Sequence, residues 1–148
     1  MDLLQETVFL QHKGIIAAEA ADVEPTLGVD CRGFEDVTFV VVTGEITSGA
    51  VVALVAQMSN VQDGTNDAFV DIAGSKIDIP DTANDKFFLL NVQRPTKRYV
   101  RCKILRSVEA AGFAQMIAIL HSPRHRPTSK NAVVITQKTV ADAVAGTA

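Results

Sequence analysis

The side chains best equipped for chemistry here are His12, His121 and His125, Cys31 and Cys102, and two pairs of neighbouring aspartates. A metal centre needs ligands at set spacings, such as two histidines one helical turn apart or paired cysteines two residues apart. None of the three histidines has such a partner. His12 reads as a surface residue on a strand edge, and His121 and His125 flank Pro123 at a loop, Ser122 to Pro127. Cys31 and Cys102 fall in strand-like segments and read as small buried side chains, because two cysteines make no disulfide framework. Asp63 with Asp67, and Asp81 with Asp85, are paired carboxylates set among Asn, Thr and Gly, so they read as solvated turn residues, not as acids with separated pKa values. Asp63-Gly64-Thr65-Asn66-Asp67 offers oxygen atoms to Ca²⁺ but lacks the ligand spacing and distant Glu of an EF-hand. Nucleophile elbows, P-loops and dinucleotide-binding glycine runs are absent. No enzyme is expected, and no catalytic, cofactor-binding or metal-binding residue is assigned.

A basic group remains. Arg94, Lys97, Arg98, Arg101, Lys103 and Arg106 crowd one turn and strand, and Arg124, Arg126 and Lys130 form a second group. Nucleic acid is the sharp reading of such a cluster. Against it, formal net charge is -3 and the cluster has a single aromatic, Tyr99. The expected use is a protein interface that pairs with carboxylates of a neighbour, carried by Arg94, Lys97, Arg98, Tyr99, Arg101, Arg124 and Arg126.

The elements that must position these residues are short and strand-like. Hydrophobic residues make up 47% and charged residues 21%, a globular balance, and 148 residues suit one domain. Thr38 to Thr43 is β-branched and aromatic, Val51 to Met58 is apolar, and Asn60 to Asn66 is a loop. Ala68 to Ile72, Ile77 to Ile79 and Phe87 to Gln93 follow. Arg94 to Lys97 is a tight turn. In Arg98 to Arg106, Val100, Cys102 and Ile104 point one way and Tyr99, Arg101 and Lys103 the other. Phe113 to Leu120 is almost wholly apolar, which predicts a central strand covered on both faces. Thr7 to His12, Thr26 to Cys31 and Ala132 to Thr136 complete eight to ten strands. The prediction is all-β: an antiparallel β-sandwich, jelly-roll-like. A short helical turn is expected near residues 15–22 or at the C-terminus. The organisation read from this is an N-terminal segment or arm at 1–25, a sandwich at 26–127, and a final strand and tail at 128–148. No run is long and apolar enough for a membrane helix, and Met1 to Glu6 does not read as a secretory signal, so synthesis and folding in a cytoplasm are expected.

Val29-Asp30-Cys31-Arg32-Gly33-Phe34, running on to Gly44, resembles the D-x-x-G-[FY] strand pair of small tailed-phage virion proteins. The order continues similarly: an apolar strand at Val51 to Met58, a loop at Ser59 to Asp67, Ala68 to Ile72, a K-R-Y-[VL]-R strand at Lys97 to Arg101, and an apolar strand ending near Pro and basic residues at Phe113 to Arg126. The resemblance covers roughly residues 26 to 127. It implies a capsid decoration, or cement, protein of jelly-roll type on the capsid surface of a virion, made in the host cytoplasm. Its implied partners are the major capsid protein and its own copies, a homotrimer over a dimer, with no nucleic acid, no membrane and no cofactor. Another virion part, such as a head fibre base or tail-associated protein, is the alternative. A carbohydrate-binding module is disfavoured because the chain has no Trp and one Tyr for sugar stacking.

Overall fold

Alternation of β-branched and aromatic residues sets the framework. From Phe34 to Ile46 every second side chain, Val37, Phe39, Val41 and Thr43, is buried, which is the period-two signature of a half-covered strand. The structure, a computed structural model, describes residues 7–124. It contains ten strands: β1 Val8–Lys13, β2 Ile16–Glu19, β3 Val29–Asp30, β4 Phe34–Ile46, β5 Val51–Ser59, β6 Val70–Asp71, β7 Ile77–Ile79, β8 Phe87–Gln93, β9 Tyr99–Ser107 and β10 Ala111–Pro123. They form two antiparallel sheets packed face to face, as the sequence predicts.

The first sheet runs β1-β10-β4-β8, with β2 also paired to β10; the second runs β3-β9-β5-β6, with β7 also on β5. The pairings nest. β1 meets β10, β3 meets β9, β4 meets β8, and β5 meets β6 and β7. A long hairpin wound around a barrel-like sandwich gives this order, and it is the jelly-roll pattern. Phe39, Phe113, Leu54, Ile104 and Met116 fill the space between the sheets, each no more than 2% exposed.

The segments of weakest pattern depart from expectation. No helix forms at 15–22. Ile16–Glu19 is a strand on β10, because buried Ile16 has a place in the core and Ala17 to Glu19 extend along a free strand edge. Nor is 7–25 an arm: β1 and β2 both pair with β10, and Val23 exchanges backbone hydrogen bonds with Ile104 at 2.8 and 3.0 Å. Thr26 to Cys31 contributes only Val29–Asp30. β10 is central, but only one of its faces is covered; Ile117 and Ile119 on the other are half-exposed. Ala132 to Thr136, Arg126, Lys130 and His125 lie outside the described residues.

Candidate functional site

The basic residues divide into three environments. Arg106 is 5% exposed and holds the chain's own N-terminal region. Its Nε donates to the Ala21 carbonyl at 2.6 Å, and its Nη1 to those of Ala17 at 2.7 Å and Ala111 at 2.6 Å. Arg101 and Lys103 lie side by side on the outer face of the second sheet. Arg101 donates to Gln57 Oε1 at 2.8 Å and the Pro25 carbonyl at 2.9 Å, and its guanidinium sits 4.1 Å from the centre of the Phe69 ring. Lys103 Nζ reaches Glu24 at 2.5 Å and Asp22 at 3.6 Å. These cations fasten residues 22–25 and Phe69 over the sheet. Gly28 makes room for that roof, since a Cβ there would come within 3.0 Å of Phe69 and 2.9 Å of Tyr99.

The third environment is a recess of about 400 Å³ at the end of the sandwich where β3, the β8–β9 turn and the end of β10 meet. Arg32, Arg94, Lys97, Arg98 and Arg124 line it, with one carboxylate, Glu35. Two of these cations are already committed: Lys97 Nζ lies 2.9 Å from both carboxylate oxygens of Asp67, and Arg98 makes a bidentate pair with Asp30 at 2.9 and 2.7 Å. Hydrogen bonds from Arg98 and the Arg32 N–H hold the Asp30 carboxyl below its usual pKa. Asp67, proposed above as a solvated turn residue, instead anchors its loop through Lys97 and the Asn60 N–H. Arg94 approaches Glu35 only to 3.9 Å, and Arg32 and Arg124 have no ion pair among the described residues. The expected interface set is thus split: Arg94, Lys97, Arg98 and Arg124 share the recess, Tyr99 carries Arg98 stacked 5.0 Å from its ring centre, and Arg101 belongs to the roof.

Sequence reasoning missed the outer face of the first sheet. Register aligns Val42 with Gln115 and Phe87, Val40 with Ile117 and Leu89, and Ile119 with Phe9. Phe87 is 71% and Leu89 63% exposed. These side chains form an apolar field across β1, β10, β4 and β8. β8, its outermost strand, pairs only with β4 and carries no charged residue from Phe87 to Gln93. The signal was present as Phe-Phe-Leu-Leu, but deciding that Phe87 and Leu89 face water requires the topology.

A polar row bounds this field. His121 lies within β10, not in a loop; its Nε2 shares a 2.9 Å hydrogen bond with Thr38 Oγ1, and its Nδ1 is 3.7 Å from Asp36. The three groups have the order of a nucleophile, base and orienter. However, Thr38 donates to Asn91 Oδ1 at 2.9 Å, the histidine–aspartate separation exceeds a hydrogen bond, and the row lies on open sheet without convergent donors for an oxyanion among the described residues.

His12 also differs from expectation. It is not a surface residue: its side chain enters the core from β1, its ring centre lies 5.0 Å from that of Phe39 with the rings tilted 49°, and its Nε2 accepts the Cys102 N–H at 3.1 Å. Burial, with the nearby Arg101 charge, lowers its pKa to about 4. Cys31 and Cys102 are free and buried, as expected, and burial pushes both thiols up to about 12, far from reactive thiolates. No protein-family model matches the chain, and no curated protein matches it.

Proposed function

We propose that this chain is a non-enzymatic binding subunit, a decoration protein that seats the outer face of its first sheet on the outer surface of a tailed-phage capsid shell. One observation carries the reading: Phe87 and Leu89, 71% and 63% exposed, stand in register with Val42 and with Val40 and Ile117 on an open sheet face whose edge strand β8 carries no charge. Contiguous exposed apolar surface of this kind marks protein contact. Burying the Phe87 and Leu89 side chains contributes about 1.5–3 kcal/mol each to a complex. The Asp30–Phe34 and Lys97–Arg101 segments support the phage assignment through their resemblance, and the nested jelly-roll winding accords with it. The shell subunit is the partner, and copies of the chain are the second contact, with a trimer favoured.

Electron microscopy of the source virion tests the assignment. Density for this sandwich on the head surface, with the β1-β10-β4-β8 face inward, is expected. A head surface without the chain ends the proposal.

A further inference from the structure

We infer that copies of this chain associate head to tail, the β9–β10 turn of one entering the arginine-lined recess of the next. This goes beyond capsid attachment, since it uses neither the apolar field nor the shell. The two parts sit at opposite ends of one hairpin. β9 leaves the recess at Tyr99 and reaches the turn after Ser107; β10 returns from Ala111 and ends beside the recess at Pro123. A strand of nine residues is roughly 30 Å long, so a chain cannot insert its own turn into its own recess. A second copy can, through a heterologous contact.

The turn is shaped as a plug. Val108 is 71% exposed and holds φ of +71°, an outlier for a β-branched residue. Glu109 follows, its N–H donating to the Ser107 carbonyl at 2.9 Å, and its carboxylate has no ion pair among the described residues. Glu45 and Asp85 stand at the same end, exposed and equally without ion pairs there, against one exposed lysine, Lys86. Strain held at an exposed tip indicates a conformation kept for contact.

The recess is shaped to receive it. Phe34 and Pro95 supply apolar wall, and Arg32, Arg94 and Arg124 supply guanidinium groups with little or no internal pairing. The backbone aims two of them. Arg94 has φ of +46° and donates its N–H to the Glu35 carbonyl at 2.7 Å; Arg124, two residues after Ser122 with its φ of +54°, donates its N–H to the Gly33 carbonyl at 2.9 Å. An acidic end bearing an apolar knob thus faces a basic hollow with apolar walls, and complementary charge fixes the register. Overall charge of -3 turns the recess away from long polyanions and leaves a short acidic segment as its occupant.

Sedimentation of the full chain at tens of micromolar in low salt tests this. The wild type is expected to form oligomers that dissociate as salt is raised. Glu109→Arg, and separately Arg94→Glu with Arg124→Glu, should each weaken association at least tenfold without changing the melting temperature. Mixing the two variants should restore assembly, because each then offers a complement to the other. A wild type that stays monomeric overturns the inference, as do variants that assemble like wild type. A monomer that binds an oligoglutamate peptide in the recess also overturns it, by assigning the site to a foreign acidic segment. None of these substitutions lies in the apolar field, so capsid binding and self-association fail or succeed separately.

Discussion

On the outer face of the second sheet, Ala53, Val55 and Gln57 are 4–7% exposed; on the outer face of the first, Phe87 and Leu89 are 71% and 63% exposed. Both faces are strand surfaces that carry apolar residues. The difference is that the second is roofed by residues 22–25 and Phe69, fastened by Arg101 and Lys103, while the first has no cover among the described residues. Long cationic side chains lay their aliphatic stems over apolar strand atoms and satisfy their heads on carbonyls and carboxylates. The cations that looked like an interface from sequence are therefore spent largely inside the molecule. The face that lacks them is the one left open among the described residues.

The comparison breaks most severely at Arg106, which ties the N-terminal strands to the rest. Arg106→Ala removes three hydrogen bonds to carbonyls of Ala17, Ala21 and Ala111 and leaves the Ala111 acceptor buried without its partner, while Ala17 and Ala21 are exposed residues. At about 1–3 kcal/mol for the buried acceptor and about 1 kcal/mol for each of the other two lost bonds, a loss of about 3–5 kcal/mol is expected. Urea unfolding measures it. A loss below about 1 kcal/mol would mean that β2 and its following loop are not held as described.

Acid should loosen the covered side next. His12 is neutral in the fold, with a pKa near 4 against 6.5 for the free side chain, so between those values the unfolded chain binds the extra proton. Its contribution is complete above pH 6.5 and lost as pH falls toward 4, about 3 kcal/mol over the window. Asp30, Asp63 and Asp67, whose pKa values are lowered, act in a different range: their stabilisation is present above 3.8 and lost below it. Unfolding free energies at pH 7.5, 5.5 and 4.5 should fall for wild type and stay nearly level for His12→Gln. Equal slopes would remove His12 from the account.

Much of this architecture is legible in the sequence. The alternations at Val37–Thr43 and Val100–Ile104, the β8–β9 turn at Arg94–Lys97 and the buried cysteines all follow from period-two patterning and turn chemistry. Ile16–Glu19 does not, because an alanine-rich run has no intrinsic preference strong enough to oppose a free edge of β10. Arg94, Lys97, Arg98 and Arg124 of the recess were named and Arg32 was not, and their grouping was not visible, since it joins positions 32, 94 and 124 across three connections. His12 was misplaced because a half-polar strand fixes neither which face is inward nor that the Cys102 N–H lacks a strand partner. The apolar field was hidden for a related reason: Ile117 and Ile119 look like core until the sheet order leaves them outside.

Loosening the roof directly should have an intermediate effect. Arg101→Ala removes bonds to Gln57 and Pro25 and the stacking on Phe69. The expected cost is about 1–3 kcal/mol, with faster amide exchange over residues 22–28. Lys103→Ala, whose ion pairs to Glu24 and Asp22 are partly exposed, should cost less than about 1 kcal/mol. If the two variants were equally costly, charge and not the guanidinium's several donors would hold the roof.

The smallest change in stability should accompany the largest change in binding. Phe87→Ser and Leu89→Ser replace exposed side chains, so each should shift unfolding by no more than about 0.5 kcal/mol. Strand propensity drops slightly, but the inward residues Phe88, Leu90 and Val92 that hold β8 to the core remain. If this face seats on a shell, the double variant loses two side chains worth about 1.5–3 kcal/mol each on burial, and its affinity for heads stripped of the chain should fall at least a hundredfold. Arg101→Ala serves as the contrast, with lower stability and retained head binding. Should the double variant bind heads as wild type does, the open face would be ordinary exposed surface, and the difference between the two sheets would concern only how the fold closes.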